Sequence, residues 1–177
     1  MQTKIRNRYT PLSFRDLAMM MKLCPDVFII TDTKKDRPHL VRQAFAALVA
    51  DAKSVDETIL DRVIPQLYAP SMLNEIEKIH SFKEYMFTRY KRGTWECYII
   101  DLIERHPNVV AVTFPKEKVP PSFCEYLKAR NVRTYTHTVD SIDEMKRYVT
   151  LGIEGFCSND LTDTDVRQSG IFDTDCP

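Results

Sequence analysis

Residues Val132 to Ser158 read VRTYTHTVDSIDEMKRYVTLGIEGFCS. The two ends, VRTYTHT (132–138) and IEGFCS (153–158), are short runs rich in β-branched and aromatic residues, the composition of strands. Between them, Ser141-x-x-Glu144 has the spacing of a helix capping box, and Gly152 stands where a helix would close. A strand, a helix and a second strand in this order predict a crossover, and crossovers join parallel strands.

The same alternation extends outward to the rest of the chain. VVAVTF (109–114) precedes a helix around Phe123, Tyr126 and Leu127, and YMFTRY (85–90) precedes one with Trp95, Tyr98, Ile99, Leu102 and Ile103 inward. VIPQLY (63–68) leads to a stripe of Met72, Leu73, Ile76 and Ile79. VFIITD (27–32) reads as a buried strand and leads, after Pro38, to apolar positions 40, 41, 44, 45, 48 and 49. Ser13 caps a first helix whose stripe is Phe14, Leu17, Met21 and Cys24. Six parallel strands alternating with helices follow from this pattern. Pro65 is an objection inside its strand, because proline cannot donate to a ladder.

Four glycines (93, 152, 155, 170) and no GxGxxG or GxxxxGK loop argue against a nucleotide-binding open sheet. The expected α/β architecture is an incomplete TIM-type (β/α) barrel, six units where eight close the ring. It is read as a single domain, with an arm over 1–12, βα repeats over 13–158 and an acidic tail over 159–177 without a regular helix.

Hydrophobic residues make up 44% and charged residues 28% of the 177, a soluble globular composition. Twenty-five basic residues balance twenty-five acidic ones, which gives a nucleic-acid footprint little support. The start, MQTKIRNRYTPLS, is polar and basic rather than a signal peptide, and no run is long enough to span a bilayer. Five scattered cysteines (24, 97, 124, 157, 176) without CxxC predict reduced, mostly buried thiols and a cytoplasmic protein.

Parallel sheets place their sites at the carboxyl ends of the strands. There VFIITDTK (27–34) ends in Asp32 and Lys34, two residues apart and so on one face. Tyr90, Lys91 and Lys116 would add positive potential at the same ends. His39, His80 and His106 read as surface residues, Trp95 as core, and Cys157 as buried and inert.

Three stretches together, YTPLSFRDLAMMMKLCPDVFIITDTK, VIPQLY and VRTYTHTVDSIDEMKRYVTLGIEGFCSNDL, resemble the later part of glycerophosphodiester phosphodiesterases and bacterial phosphatidylinositol-specific phospholipase C-like relatives. The resemblance runs over most of residues 9–161. It implies a TIM barrel, cleavage of a phosphodiester small molecule in lipid metabolism, and a divalent metal, Mg²⁺ or Ca²⁺. By it, Asp32 falls at a metal-ligand position and Lys34 at the phosphate-side lysine. Gln66 matches a polar pocket position, and His137 stands where many relatives carry a pocket tryptophan. The plainer readings are a solvated ion pair for Asp32 and Lys34, a loop cap for Gln66, and a structural imidazole for His137. The family's His-Arg-Gly, Glu-x-Asp and second histidine are not found in matching contexts, so no complete catalytic set is expected.

Three functions follow. The first is the C-terminal part of a metal-dependent phosphodiesterase, inactive alone. The second is a non-catalytic barrel that binds a phosphate ligand or a partner. The third is an aldolase-like barrel using Lys34 or Lys91 as a Schiff-base amine. A barrel short of two units also predicts a homo-oligomer or a missing N-terminal segment.

Overall fold

A computed structural model describes residues 11–33, 36–89 and 96–172. The chain forms two compact units, Met1–Glu84 and Tyr85–Pro177.

The first unit contains α1 (Phe14–Leu23), β1 (Ile29–Ile30), α2 (Pro38–Val55), a 3₁₀ turn (Glu57–Arg62), β2 (Val63–Ile64), β3 (Gln66–Leu67) and α3 (Pro70–Glu77). Ser13 caps α1 as expected, and Asp16 returns the bond to the Ser13 main chain. Proline opens α2 and α3, where its missing N–H costs no helical bond. The core gathers Ala18, Met21, Val41, Phe45, Leu60, Leu73 and Ile76. Phe45 meets Phe82 edge to face at 5.9 Å.

β1 and β2 run parallel, Ile29 opposite Val63 and Ile30 opposite Ile64. The strand expected over 63–68 is divided at Pro65, which has no N–H to give. Thr31 bridges the gap. Its N–H donates to the Ile64 carbonyl at 3.1 Å, and its hydroxyl accepts from the Gln66 N–H at 3.2 Å. Burial alternates along this segment, with Val63, Pro65 and Leu67 buried and Ile64, Gln66 and Tyr68 intermediate.

The stretch 27–32 is not the buried strand that its composition suggested. Its ladder covers two residues, and Phe28 and Ile30 are 57% and 43% exposed. Both lie on the side away from buried Thr31. What fixes the turn into β1 is Arg62. Its guanidinium donates to the carbonyls of Met21 (2.8 Å), Cys24 (2.9 Å) and Val27 (3.0 Å), a cation at the negative end of α1.

The second unit contains β4 (Tyr85–Thr88), α4 (Glu96–Arg105), β5 (Val109–Pro115), α5 (Pro121–Lys128), β6 (Arg133–His137), α6 (Ile142–Val149), β7 (Gly155–Cys157) and α7 (Asp163–Gln168). The strands pair in sequence order, all parallel. Phe114 and Phe123 meet at 6.2 Å, so the even-numbered face of β5 packs on α5. Thr113, Tyr135 and Gly155 share the opposite face.

Four local expectations are corrected. The capping box at Ser141 is not made, because Glu144 turns to Lys116 Nζ at 3.1 Å and Ser141 forms no side-chain cap bond. The tail does hold a short helix, α7, opened by a capping box between Thr162 and Asp165. Tyr98 is 57% exposed rather than inward. Among the described thiols, Cys124 alone is buried, while Cys97 and Cys157 are exposed and Cys24 is intermediate. Trp95 and Cys176 lie outside the described residues.

Gly152 ends the α6 segment at φ +87°, a left-handed conformation that glycine adopts without strain. Gly155 has another reason. A Cβ there would clash with the ring of Tyr135, well inside contact distance. Gly155→Ala is expected to cost roughly 1–3 kcal/mol, as overpacking of a stiff ring does. Chemical denaturation checks this, and Tyr135→Ala in the same chain should return most of the loss.

Candidate functional site

In the first unit, Asp32 and Tyr68 follow the carboxyl ends of β1 and β3, and Gln66 opens β3. Two-residue spacing from Ile30 and Ile64 places them on one side. The Tyr68 hydroxyl donates to the Asp32 carboxylate. Gln66 is held through its main-chain bond to Thr31. Beside them the Thr33 hydroxyl oxygen is buried without a hydrogen-bond partner among the described residues. Lys34 lies outside the described residues, as do Tyr90 and Lys91.

In the second unit, His137 ends β6. Its Nδ1 lies 3.0 Å from the Thr113 hydroxyl on the neighbouring strand. Burial pushes the His137 pKa down, against a smaller upward pull from Glu117. Cys157 is the register partner of His137 on β7, exposed rather than enclosed as expected. Lys116 follows β5, but its ammonium is paired with Glu144, a hydrogen bond that raises its pKa. The Tyr148 hydroxyl donates to the Lys116 carbonyl at 2.9 Å.

Asp140 was not singled out in the sequence, yet it organises this end of the unit. Its carboxylate accepts from the Asn159 N–H at 2.7 Å and the Ser158 hydroxyl at 2.9 Å. Those bonds lower its pKa and tie the segment after β6 to the segment after β7. The legible signal was a carboxylate just past a strand end, facing a Ser-Asn pair past the next.

The histidines divide. His39 is exposed, whereas His80 packs edge-on against Phe82 at 4.8 Å and, like His106, is only partly exposed. A cavity of about 340 Å³ lies on the helix side of β7, lined by Met145, Phe156, Leu161, Val166 and Phe172. Alternation along the strand places it opposite the face of His137 and Cys157.

Among the described residues no three His, Cys, Asp or Glu side chains are grouped so as to hold a metal ion. A hard cation takes six to eight oxygen ligands or a near-octahedral set. The described residues at the Asp32 position therefore do not make up such a site.

Parallel strands alternating with helices, with polar side chains at the strands' carboxyl ends, define an α/β fold of the TIM-barrel type. Its structural neighbours include glycerophosphodiester phosphodiesterases. The Parabacteroides distasonis enzyme superposes with a TM-score of 0.74 at 12% identity, over 98% of this chain and 70% of that one. The Oleispira antarctica phosphodiesterase, solved with its product sn-glycerol-3-phosphate, gives 0.58 at 12% identity, over 79% and 53%. The Silicibacter pomeroyi structure assigned to the same phosphodiesterase class gives 0.67 at 12% identity, over 93% of this chain. The chain spans only 57% of that structure's length. At such identities the likeness shows the fold alone. No protein-family model matches the sequence, and no curated protein does.

A downward shift means that the folded state resists protonating His137. The stability contributed by the neutral ring is complete above its unfolded value of about 6.5 and is lost as pH falls through the lower folded value. The His137 ring protons should therefore titrate by NMR with a midpoint below about 6.5. A midpoint above it would show a solvated or ion-paired imidazole.

Proposed function

We propose that this chain binds a phosphorylated small molecule at the carboxyl ends of its strands and, as an isolated chain, does not turn over phosphodiesters. The observation that carries the reading is the pair of polar sets at those ends, Asp32 with Tyr68 and Gln66 in one unit and His137 with Thr113 in the other. The sequence resemblance and the fold of the neighbours support the ligand class. The Oleispira antarctica phosphodiesterase, with sn-glycerol-3-phosphate bound, supports phosphate as the common element.

In this reading, which follows the resemblance, Lys34 and Gln66 are phosphate-side residues of the first unit, His137 is one of the second, and Asp32 keeps the position of a metal ligand. A divalent ion, Mg²⁺ or Ca²⁺, would need carboxylates beyond those described here. A missing general acid and base each remove a factor of about 10² to 10⁴. The free thiols Cys24, Cys97, Cys124 and Cys157 support a reducing, cytoplasmic setting. The Schiff-base reading ranks below, because the carboxylate of Asp32 two residues from Lys34 favours a charged amine.

Calorimetry with inorganic phosphate and with sn-glycerol-3-phosphate tests the binding. Saturable heat, weakened about tenfold by His137→Ala, is expected, since a factor of ten corresponds to one lost polar contact of about 1.4 kcal/mol. Absence of saturation up to about 10 mM would remove the reading. Glycerophosphodiester turnover should stay undetectable with added Mg²⁺ or Ca²⁺. A rate of roughly 1 to 10³ per second that Asp32→Ala abolishes would reverse it.

The exposed side of β1, where Phe28 and Ile30 are uncovered and which Asp32 shares, supports pairing with a second copy or with an upstream βα segment. Sedimentation of the chain at micromolar concentration should give more than a monomer, and a stable monomer would leave this pairing without support.

A further inference from the structure

Three buried threonines of the second unit send their hydroxyl protons to different kinds of partner. Thr134 donates to the Gly152 carbonyl at 2.6 Å, and Thr136 to the Phe114 carbonyl at 3.0 Å. Thr113, 1% exposed, meets a side chain instead, the Nδ1 of His137 at 3.0 Å. Register makes this contact. Thr113 lies opposite Tyr135 and Pro115 opposite His137, so the hydroxyl sits one pleat below the ring on the same face. A β-branched side chain has few χ1 positions open to it in a strand, which fixes the hydroxyl there.

Counting protons then decides which ring nitrogen is bare. A buried hydroxyl whose proton finds no acceptor is costly, and such groups are rare. Among the described residues, Nδ1 is the one acceptor within reach of the Thr113 hydroxyl. If Nδ1 carried a proton, the hydroxyl could only accept from the ring, and its own proton would be stranded. If Nδ1 is bare, the hydroxyl donates to it and both groups are satisfied. Neutral imidazole carries a single N–H, and the bond made by one nitrogen sets the state of the other. The proton is therefore on Nε2. Burial of the ring, which outweighs the pull of Glu117, favours the same neutral form.

We infer that Thr113 holds His137 as its Nε2–H tautomer and so makes the ring a hydrogen-bond donor to a phosphate oxygen, not a lone-pair ligand to a metal ion. The ligand in this inference rests on the strand-end reading given above. Phosphate oxygens accept hydrogen bonds, whereas a cation at Nε2 would have to displace the proton held there. Thr113 is a positioning residue, since it touches the ring and not the ligand. Nothing but a hydroxyl is asked of it, so serine fits the role and valine, of nearly the same shape, does not.

Heteronuclear NMR of the full chain, labelled at its histidine nitrogens and held at about pH 8, tests the inference above the ordinary histidine value of about 6.5. The His137 signals are identified by their loss in His137→Ala. In the unmodified chain Nε2 should be protonated and Nδ1 bare, and added inorganic phosphate should shift the Nε2–H proton. Thr113→Val should give a mixture of tautomers and weaken phosphate about fivefold, the loss of one modest hydrogen bond. Thr113→Ser should restore a single tautomer and the affinity. A proton on Nδ1 in the unmodified chain overturns the inference, whatever phosphate does and however Thr113→Val folds. So does Thr113→Val with tautomer and affinity unchanged, or phosphate that saturates without moving the Nε2–H proton. Phosphate that never saturates, with Nε2 protonated and Nδ1 bare, would instead remove the strand-end reading and leave the tautomer assignment supported.

Discussion

Parallel strands cannot be joined by a tight turn, so each must be followed by a helix that carries the chain back to the starting end. Nearly everything described for this chain follows from that constraint. Helices cover one side of each strand, which is why Phe114 meets Phe123 while Thr113, on the other side, is left to meet His137. All carboxyl ends of a unit's strands point the same way. Polar groups far apart in sequence, such as Asp32 and Tyr68, therefore arrive within one hydrogen bond of each other.

The alternation of strand and helix was legible because it depends on periods of two and of 3.6 within short windows. All six expected strands are present, and the one that breaks does so at the proline that raised the objection. The errors have a common cause. Ser141 and Glu144 have the spacing of a cap, but the spacing is blind to Lys116, 28 residues away, which takes the carboxylate. Composition marked Val27 to Ile30 as core, yet burial depends on what lies across the strand, and Phe28 and Ile30 are uncovered.

The candidate site was legible to a lesser degree. Strand ends and period two marked Asp32, and the resemblance marked Gln66 and His137; the structure puts Asp32 just past β1, Gln66 at the start of β3 and His137 at the end of β6. Their partners were not legible. Thr113 reads as one more β-branched core residue, and Asp140 as a loop acid, until the register of β5, β6 and β7 sets them beside His137 and Asn159. Nor does likeness of fold fill the gap, because a scaffold shared at 12% identity says where a site would lie and not what it does.

The clasp at Arg62 bears on how this chain can vary. A guanidinium that holds Met21, Cys24 and Val27 does so through their carbonyl oxygens, which every amino acid possesses. Replacing those three side chains leaves the acceptors in place, so lineages can drift there while the turn into β1 survives. Replacing Arg62 removes all three donors at once, and lysine, with a single ammonium on a flexible stem, does not reproduce the planar fork. Tolerance and intolerance to mutation are thus distributed unequally across one contact, with the freedom on the side that offers only backbone.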